Sequence, residues 1–187
     1  MSGFSAFLDA NVLYPAILRD FLMQFAVHGL YKPVWSAEVL DEVRRNLVKV
    51  KTEYAATFDR HSAVMTSLFP DAIVGHYEEA IIPIGTLVDS KDEHVLKAAL
   101  TARAGAIVTA NTKDFPADLF DSFGIELVHP DQFLLDLVEL TPDVATKACL
   151  ELIDDYKNPP MTAVEIAGFL RRSGCPEFAE LLIAKFA

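Results

Sequence analysis

The sequence predicts an α/β fold, a parallel sheet covered by helices on both faces, followed by an all-helical extension. Short apolar runs alternate along the chain with longer segments of helical periodicity, which is typical of a parallel sheet. Several of these runs end directly at a polar residue, as strands do at the functional edge of such a sheet. After Thr141 no strand-like run is found. We therefore predict an α/β domain at residues 1–140 and a helical extension at residues 141–187.

Short apolar runs are the predicted strands. Each lies between polar or glycine-containing segments, the pattern of a strand buried on both faces. The predicted strands are Phe4 to Leu8, Lys32 to Trp35, Ala106 to Thr109 and Ile125 to Val128. Residues 60–80 look helical but irregular, because Pro70 and Gly75 interrupt them, and residues 81–88 are ambiguous.

Capping residues mark the predicted helices. Pro15 suits a first helical turn, and its helix runs to His28 before Gly29. Ser36 caps a helix whose apolar residues recur about every 3.6 residues. Capping boxes open two more helices, and prolines open the remaining two. These four helices begin at Ser90 (running through Ala104), Thr162, Pro142 and Pro176.

Apolar residues of the extension lie on defined helix faces and are expected to pack mostly onto the α/β domain. They are Val144, Ala148, Leu152, Phe178, Leu181 and Leu182. Any of them that stay exposed would offer a surface for a partner protein or, in a homodimer, for a second copy of the chain.

Composition excludes several classes of protein. The chain has 187 residues, a net charge of -11 and an apolar fraction of 52%, which suits one globular domain with an appendage. The longest stretch without Asp, Glu, Lys or Arg runs from Phe21 to Tyr31, which is too short for a membrane span of about 20 residues. The first residues lack the pattern of a signal peptide, so we expect a cytoplasmic protein. Cys149 and Cys175 have no CxxC partner, and we expect buried thiols.

Four acids are the candidate functional residues. Asp9 follows the first strand, Asp114 follows the strand that ends at Thr109, and Asp92 and Glu42 lie near the starts of predicted helices. Four carboxylates that converge would repel one another unless they were protonated or shared a cation. A hard divalent ion with oxygen ligands, Mg²⁺ or Mn²⁺, suits such a cluster, and it would let an acidic protein reach phosphate.

Each acid also has a simpler interpretation. Asp9 could cap the next helix, Asp92 could interact with a helix dipole, and Asp114 could be a turn residue. Glu42 is harder to explain in this way, because Glu38 lies one turn earlier and like charges at this spacing are mildly destabilising.

Four segments, taken together in order, resemble one family. They are Phe7 to Leu13 (FLDANVL), Trp35 to Val43, Asp89 to Ala99 (DSKDEHVLKAA) and Ile107 to Phe115 (IVTANTKDF). The family is that of the PIN-domain nucleases, and among them the VapC-like toxins of prokaryotic toxin-antitoxin pairs. The resemblance covers about residues 4–135. It implies a Rossmann-like sheet, Mg²⁺- or Mn²⁺-dependent endoribonuclease activity on RNA, and a cognate antitoxin as partner.

The resemblance also implies roles for individual residues. Asp9, Glu42 and Asp92 match the main acids of the family, and Asp9 and Asp92 are the expected direct metal ligands. Many members carry a further Asp where this chain has Asn111, so Asp114 is expected to substitute for it, directly or through a water. Because an amide supplies one neutral oxygen, a second metal would be held less tightly, and one-metal and two-metal catalysis both stay open.

Other residues are expected to support the acids or contact RNA. Asn11, Thr109 and Asn111 would position the acids. The candidate RNA contacts are Arg44, Arg45, Lys49, Lys51 and Lys113. A solvated helix face is the alternative for the basic run, and the core is the alternative for Tyr14 and Trp35, which could otherwise stack on bases. His94 receives no role.

Three other functions stay open at this point. The chain could be a PIN nuclease that processes RNA or DNA outside a toxin system, or an inactive PIN-like module that only binds RNA. A metal-dependent phosphatase on another Rossmann-like fold is disfavoured, because Asp9-Ala10-Asn11 lacks the second acid expected after a phosphoryl-accepting Asp.

Overall fold

A central parallel sheet organises the protein. The computed structural model describes residues 4–81, 93–115, 120 and 122–187. Five strands pair in the order β3-β2-β1-β4-β5, and every pairing is parallel. The strands are β1 (Ser5–Leu8), β2 (Lys32–Ser36), β3 (Ile73–Val74), β4 (Ala106–Val108) and β5 (Glu126–Val128). The predicted α/β class is confirmed.

Helices connect the strands and form the end of the chain. The first group is α1 (Ala10–Leu13), α2 (Ala16–Val27), α3 (Ala37–Val50), α4 (Thr52–Leu68) and α5 (Glu93–Thr101). The second group is α6 (Pro130–Leu140), α7 (Pro142–Asp155), α8 (Ala163–Arg172) and α9 (Pro176–Phe186). Short 3-10 turns occur at Tyr77–Glu79 and Thr112–Asp114. None of the described helices has both the length and the apolar character needed to cross a membrane.

Strand β1 lies at the centre of the sheet. Its residue Phe7 pairs with Val34 of β2 on one side and with Ile107 of β4 on the other. Ala6, Phe7 and Leu8 are completely buried, which explains why the strand is apolar at every position instead of alternating. The chain leaves this buried strand at Asp9, at the carboxyl edge of the sheet.

Some elements differ from the sequence prediction. Strand β3 lies within the segment predicted as irregular helix, and it pairs with the end of β2. It has only two residues, so no periodicity could reveal it. Helix α6 was not predicted; it has Pro130 in its first turn, and the His129 side chain accepts a hydrogen bond from the Asp131 N–H. The ambiguous residues 82–88 and the Ser90 capping position lie outside the described residues.

Helix α5 ends earlier than predicted, at Thr101 instead of Ala104. The backbone turns there because Arg103 adopts a left-handed conformation, with φ of 51°. The Ala104 N–H then bonds to the Ala99 carbonyl at 2.9 Å, which is the closing pattern of a helix C-terminus. A glycine usually occupies this position. Because the chain has Arg103 there, the sequence contains no signal for the end of the helix.

The C-terminal helices pack onto α2. The Phe178 ring of α9 meets the rings of Phe21 and Phe25 edge-on, at centroid distances of 5.3 and 6.0 Å. Helices α7 and α8 also contact α2. Of the predicted packing residues, Ala148, Leu152, Phe178 and Leu182 are buried and Leu181 is partly buried. Val144 is 40% exposed, because it lies in the solvent-facing first turn of α7. Both cysteines are buried free thiols, as predicted.

Asp131 connects two of the C-terminal helices. The residue is only 8% exposed. Although Asp131 belongs to α6, its side chain accepts hydrogen bonds from α9. The N–H groups of Glu177 and Phe178 donate to its two oxygens at 3.0 and 2.8 Å. The carboxylate thereby caps the positive end of α9 from another helix.

The predicted division of the chain into two parts at residue 140 stays a prediction.

We expect Asp131→Ala to lower the free energy of unfolding by about 2–4 kcal/mol, because it leaves two N–H groups at a buried helix start without acceptors. Urea denaturation followed by circular dichroism measures the change. Asp136→Ala is the control on the same helix, since the one hydrogen bond of its side chain to a described residue comes from the exposed Gln132. It should cost less than about 0.5 kcal/mol. Equal losses in the two variants would contradict the capping role.

Candidate functional site

The carboxylate of Asp9 is the centre of the candidate site. It lies directly after β1 and is only 8% exposed. One oxygen, Oδ1, accepts the Ala10 N–H at 2.6 Å. The other, Oδ2, accepts the Asn11 side-chain amide at 2.6 Å and the Thr109 hydroxyl at 2.7 Å. Asp9 therefore does cap α1, but the cap occupies only one of its oxygens.

Burial dominates the electrostatics of Asp9. It raises the pKa of the Asp9 carboxyl, and the hydrogen bonds from Thr109, Ala10 and Asn11 and the charge of His94 oppose this only in part. A carboxylate has about four lone-pair positions, of which three are occupied by these donors. One acceptor position is left for a ligand, and a cation there would compensate the buried charge.

Asn11 and Thr109 join the ends of β1 and β4. The Asn11 amide also donates to the Thr109 hydroxyl oxygen at 2.9 Å, and the Asn11 carbonyl accepts the Ala110 N–H at 2.9 Å. The Asn111 N–H donates to the Thr109 oxygen at 3.2 Å. Every polar side-chain atom of Asn11 and Thr109 is thus used, so this network holds Asp9 in one orientation.

Glu42 lies on the wall of a cleft beside this network. The cleft has a volume of 390 Å³, and its lining residues are Ala10, Asn11, Tyr14, Glu42 and Asn46. It forms because α1, the helix that Asp9 caps, packs against α3. Glu42 is partly exposed, so its carboxylate is accessible to a ligand in the cleft.

The other two predicted acids lie beyond what the structure describes. Asp92 is outside the described residues, and of Asp114 only the backbone is described, at the end of the 3-10 turn after β4. Within residues 4–81, 93–115, 120 and 122–187, no three His, Cys, Asp or Glu side chains form a group able to hold a metal ion. The convergence of four acids therefore stays a prediction.

The predicted RNA-contacting cations of α3 have nearby polar partners. Arg44 pairs with Asp59 at 2.9 Å and Arg45 with Asp41 at 2.7 Å. Lys51 pairs more loosely, with its Nζ 3.5 Å from the Glu53 carboxylate. All of these contacts are exposed, where ion pairs are weak and exchange easily. Lys113, in the 3-10 turn after β4, is exposed as well.

Sequence reasoning missed a second polar cluster next to Asp9. The His94 side chain is 15% exposed, and its Nδ1 lies 3.9 Å from a Glu38 oxygen that also accepts the Tyr77 hydroxyl at 3.1 Å. Among the described residues, His94 Nδ1 has no hydrogen-bond partner. The repeat of Glu38 and Glu42 on one helix face was the signal that could have indicated it.

The two aromatic candidates for base stacking, Trp35 and Tyr14, differ in how deeply they are buried. Trp35 is fully buried and meets Phe69 edge-on in the core, so it cannot stack on a base, because no face of the indole is accessible. Tyr14 lines the cleft and is only partly buried. The core alternative is thus correct for Trp35, and Tyr14 stays available.

Comparisons with known proteins match both parts of the chain. A family model described as PIN domain matches residues 5–113, and one described as VapC50 C-terminal domain matches residues 130–183. A protein of Mycobacterium tuberculosis (strain ATCC 25618 / H37Rv) named "Putative ribonuclease VapC50" is 40% identical over 89 residues. The alignment covers 48% of this chain and 52% of that relative, so the chain spans about half the length of the curated relative it matches. No solved structure matches the chain.

Proposed function

Because the chain belongs to the PIN-domain family, we propose that it is an endoribonuclease that hydrolyses RNA phosphodiester bonds with Mg²⁺ or Mn²⁺. We propose further that it is the VapC-like toxin of a toxin-antitoxin pair, with a cognate antitoxin as its protein partner. The likeness to the relative named a ribonuclease supports the activity. Residues 1–140 would carry the nuclease and residues 141–187 the helical extension.

The single observation that carries the proposal is the buried Asp9 carboxylate. Three donors fix its orientation, yet no Lys or Arg side chain among the described residues pairs with it. A buried charge without a cationic partner is costly. It is therefore unusual in a purely structural position, but it is expected where a carboxylate binds a metal ion.

The available donor set fits a hard divalent ion. Asp9 and Glu42 provide carboxylate oxygens, the ligands that Mg²⁺ and Mn²⁺ prefer, and no cysteine is among the residues that line the cleft. We propose that Asp9 and Asp92 hold the ion, with Glu42 and Asp114 as further ligands. When bound, such an ion supplies positive charge that stabilises the reacting phosphoryl group and makes water a better nucleophile.

The residues of the chain would divide the remaining work. Asn11 and Thr109 hold Asp9 in place, which presets the geometry before RNA binds. Glu42 or Asp114 would accept a hydrogen bond from the attacking water and orient it. The cations of α3, together with Lys113, would contact RNA phosphates after exchanging their exposed partners.

An RNA-binding module with weak or no catalysis is the second candidate. Asn111 favours it, because an amide stands where many family members carry an acid, and its exposed side chain makes no hydrogen bond to the described residues. This candidate predicts RNA binding without cleavage. A PIN nuclease outside a toxin system would cleave RNA or DNA without a cognate antitoxin.

Removal of the metal provides the first test. The purified protein is incubated with total cellular RNA and Mn²⁺, with and without a chelator, beside an Asp92→Asn variant. We expect discrete fragments from the wild type only, and their loss when the chelator is added, because the cleavage depends on the bound ion. Cleavage that persists in the chelator would contradict the metal proposal, and RNA binding without any cleavage would favour the inactive module.

A further inference from the structure

A second cavity lies at the edge of the sheet opposite to Asp9. It has a volume of 560 Å³, and its lining comes from the starts of β1 and β2, the segment before β3 and the end of α5. Ser5 begins β1 and Asp9 follows its last residue, so the length of β1, about 13 Å at about 3.3 Å per residue, separates the two sites. The proposed nuclease chemistry uses none of the residues that line this cavity.

Two cations that have no partner among the described residues line this cavity. Most of the described Lys and Arg side chains form an ion pair, a hydrogen bond or a ring contact. The exceptions within the described part of the chain are Lys32, Arg103, Lys113 and Lys157. In a chain with a net charge of -11 such cations are scarce, yet Lys32 and Arg103 line the same cavity. This edge of the sheet therefore carries a local positive charge.

Arg103 has a backbone conformation that an arginine does not favour. Its φ is 51°, in the left-handed region that glycine adopts without steric cost. Two hydrogen bonds fix this turn to the start of β1. The Ser5 hydroxyl donates to the Arg103 carbonyl at 3.4 Å, and the Gly105 N–H donates to the Ser5 carbonyl at 2.9 Å. An arginine held in a strained conformation beside a cavity indicates a use for its guanidinium group.

Apolar groups form much of the remaining wall. Val34 and Ala72 are buried, and Phe69 is partly buried against the core. Leu68, at the end of α4, lines the same cavity and is 56% exposed. A ligand with an apolar body would remove this surface from water, which favours binding.

The charges of the lining select the kind of anion. Asp71 also lines the cavity, but it forms no ion pair with Lys32 or Arg103. Two positive side chains and one negative side chain give the lining a net charge of +1. A carboxylate carries one negative charge, whereas a phosphate monoester carries about 1.5 to 2 at pH 7. The lining therefore matches a carboxylate.

The open edge of β2 beside the cavity does not suit an added peptide strand. The Trp35 N–H points to this edge, where it donates to the Ala72 carbonyl at 2.9 Å. Backbone N–H groups of a strand point alternately to its two sides, so residue 33 faces the same edge. Pro33 has no N–H to donate there. This favours a small molecule over an extended peptide.

We propose that this cavity binds a small organic acid, with its carboxylate between Lys32 and Arg103 and its apolar body against Phe69 and the neighbouring apolar residues. A guanidinium group can donate two parallel hydrogen bonds to the two oxygens of a carboxylate, and a lysine adds a point charge. Cavities of several hundred Å³ are typical of small-molecule sites. The site is separate from the acids around Asp9, so this inference does not rest on the proposed function.

The first test is a titration of the isotope-labelled protein with 4-phenylbutanoate, followed by amide chemical shifts in NMR spectra. We expect a Kd of about 1 mM or below, with shifts at the N–H groups of Lys32, Ala72 and Arg103. The neutral 4-phenylbutanamide and the small anion acetate should each bind at least about tenfold more weakly, because one lacks the charge and the other lacks the apolar body. The dianion 4-phenylbutyl phosphate should bind no more tightly than the carboxylate.

Three results of this titration would overturn the inference. One is that 4-phenylbutanoate shifts no amide of the cavity. Another is that the neutral amide binds as tightly as the acid, which would show that the cations take no part. The third is tighter binding of the phosphate, which would show that the lining prefers a dianion.

The second test uses Arg103→Gly. Glycine adopts the left-handed conformation freely, so this variant should keep the wild-type melting temperature or raise it. Its affinity for 4-phenylbutanoate should nevertheless fall about tenfold, and Lys32→Gln should have a similar effect. Lys157→Gln is the matched control, because it removes an exposed cation that does not line the cavity, and it should bind the probe as the wild type does. Wild-type affinity in folded Arg103→Gly, or an equal loss in Lys157→Gln, would show that the inference is wrong.

Discussion

Asp9→Asn is expected to reduce RNA cleavage by about a thousandfold or more, which corresponds to about 4 kcal/mol of barrier. The amide keeps the shape of the side chain but removes the negative charge and one acceptor oxygen. The remaining acceptor position, which we propose for the metal, then carries a much weaker ligand. Rates of cleavage of a defined RNA in Mn²⁺ measure the loss.

The fold of this variant should be maintained. One of the three donors around Asp9 would face the new NH₂ group, a cost of about 1–3 kcal/mol, and removal of a buried charge offsets part of it. Circular dichroism and the melting temperature check this. Asp154→Asn, an exposed acid on α7, is the matched control and should cleave at the wild-type rate. Wild-type cleavage by folded Asp9→Asn would show that the metal assignment is wrong.

Phe178→Ala is expected to lower the free energy of unfolding by about 3–5 kcal/mol, because the ring is fully buried between Phe21 and Phe25. The cavity would lie between α2 and α9, so the loss measures how firmly the C-terminal helices are attached to the rest of the protein. Urea denaturation provides the value.

Phe169→Ala is the appropriate control for this substitution. Phe169 is 43% exposed on α8 and stacks with Arg172, so its removal should cost about 1 kcal/mol or less. Two results would contradict a core shared by α2 and the C-terminal helices. One is a similar loss of unfolding free energy in both variants. The other is that the C-terminal helices of Phe178→Ala melt separately while the rest of the protein is unchanged.

The sequence was sufficient for most of the sheet. Buried parallel strands appear as continuous apolar runs, and four of the five strands were found in this way. The fifth, Ile73–Val74, could not be found, because it exists only through its pairing with the end of β2. The end of α5 could not be predicted for a related reason. It depends on the left-handed backbone of Arg103, a conformation that arginine rarely adopts and that the tertiary structure imposes.

The site was predictable only where it follows from strand ends. Asp9 and Thr109 end neighbouring strands, so their contact follows from the topology. The pairing of His94 with Glu38 joins residues that are far apart in sequence, so the repeat of Glu38 and Glu42 on one helix face could point to Glu38 but not to its partner. The same holds for Asp131, whose partners lie on another helix.

The contact between Phe178 and α2 also affects synthesis of the protein. Phe25 leaves the ribosome about 150 residues before Phe178, an interval of about 10–30 s at ordinary rates of translation. During that time the aromatic face of α2, which follows the Asp9 segment directly, lacks its final cover. A nascent chain would thus expose an apolar surface to which chaperones can bind until α9 has been made and packs against it.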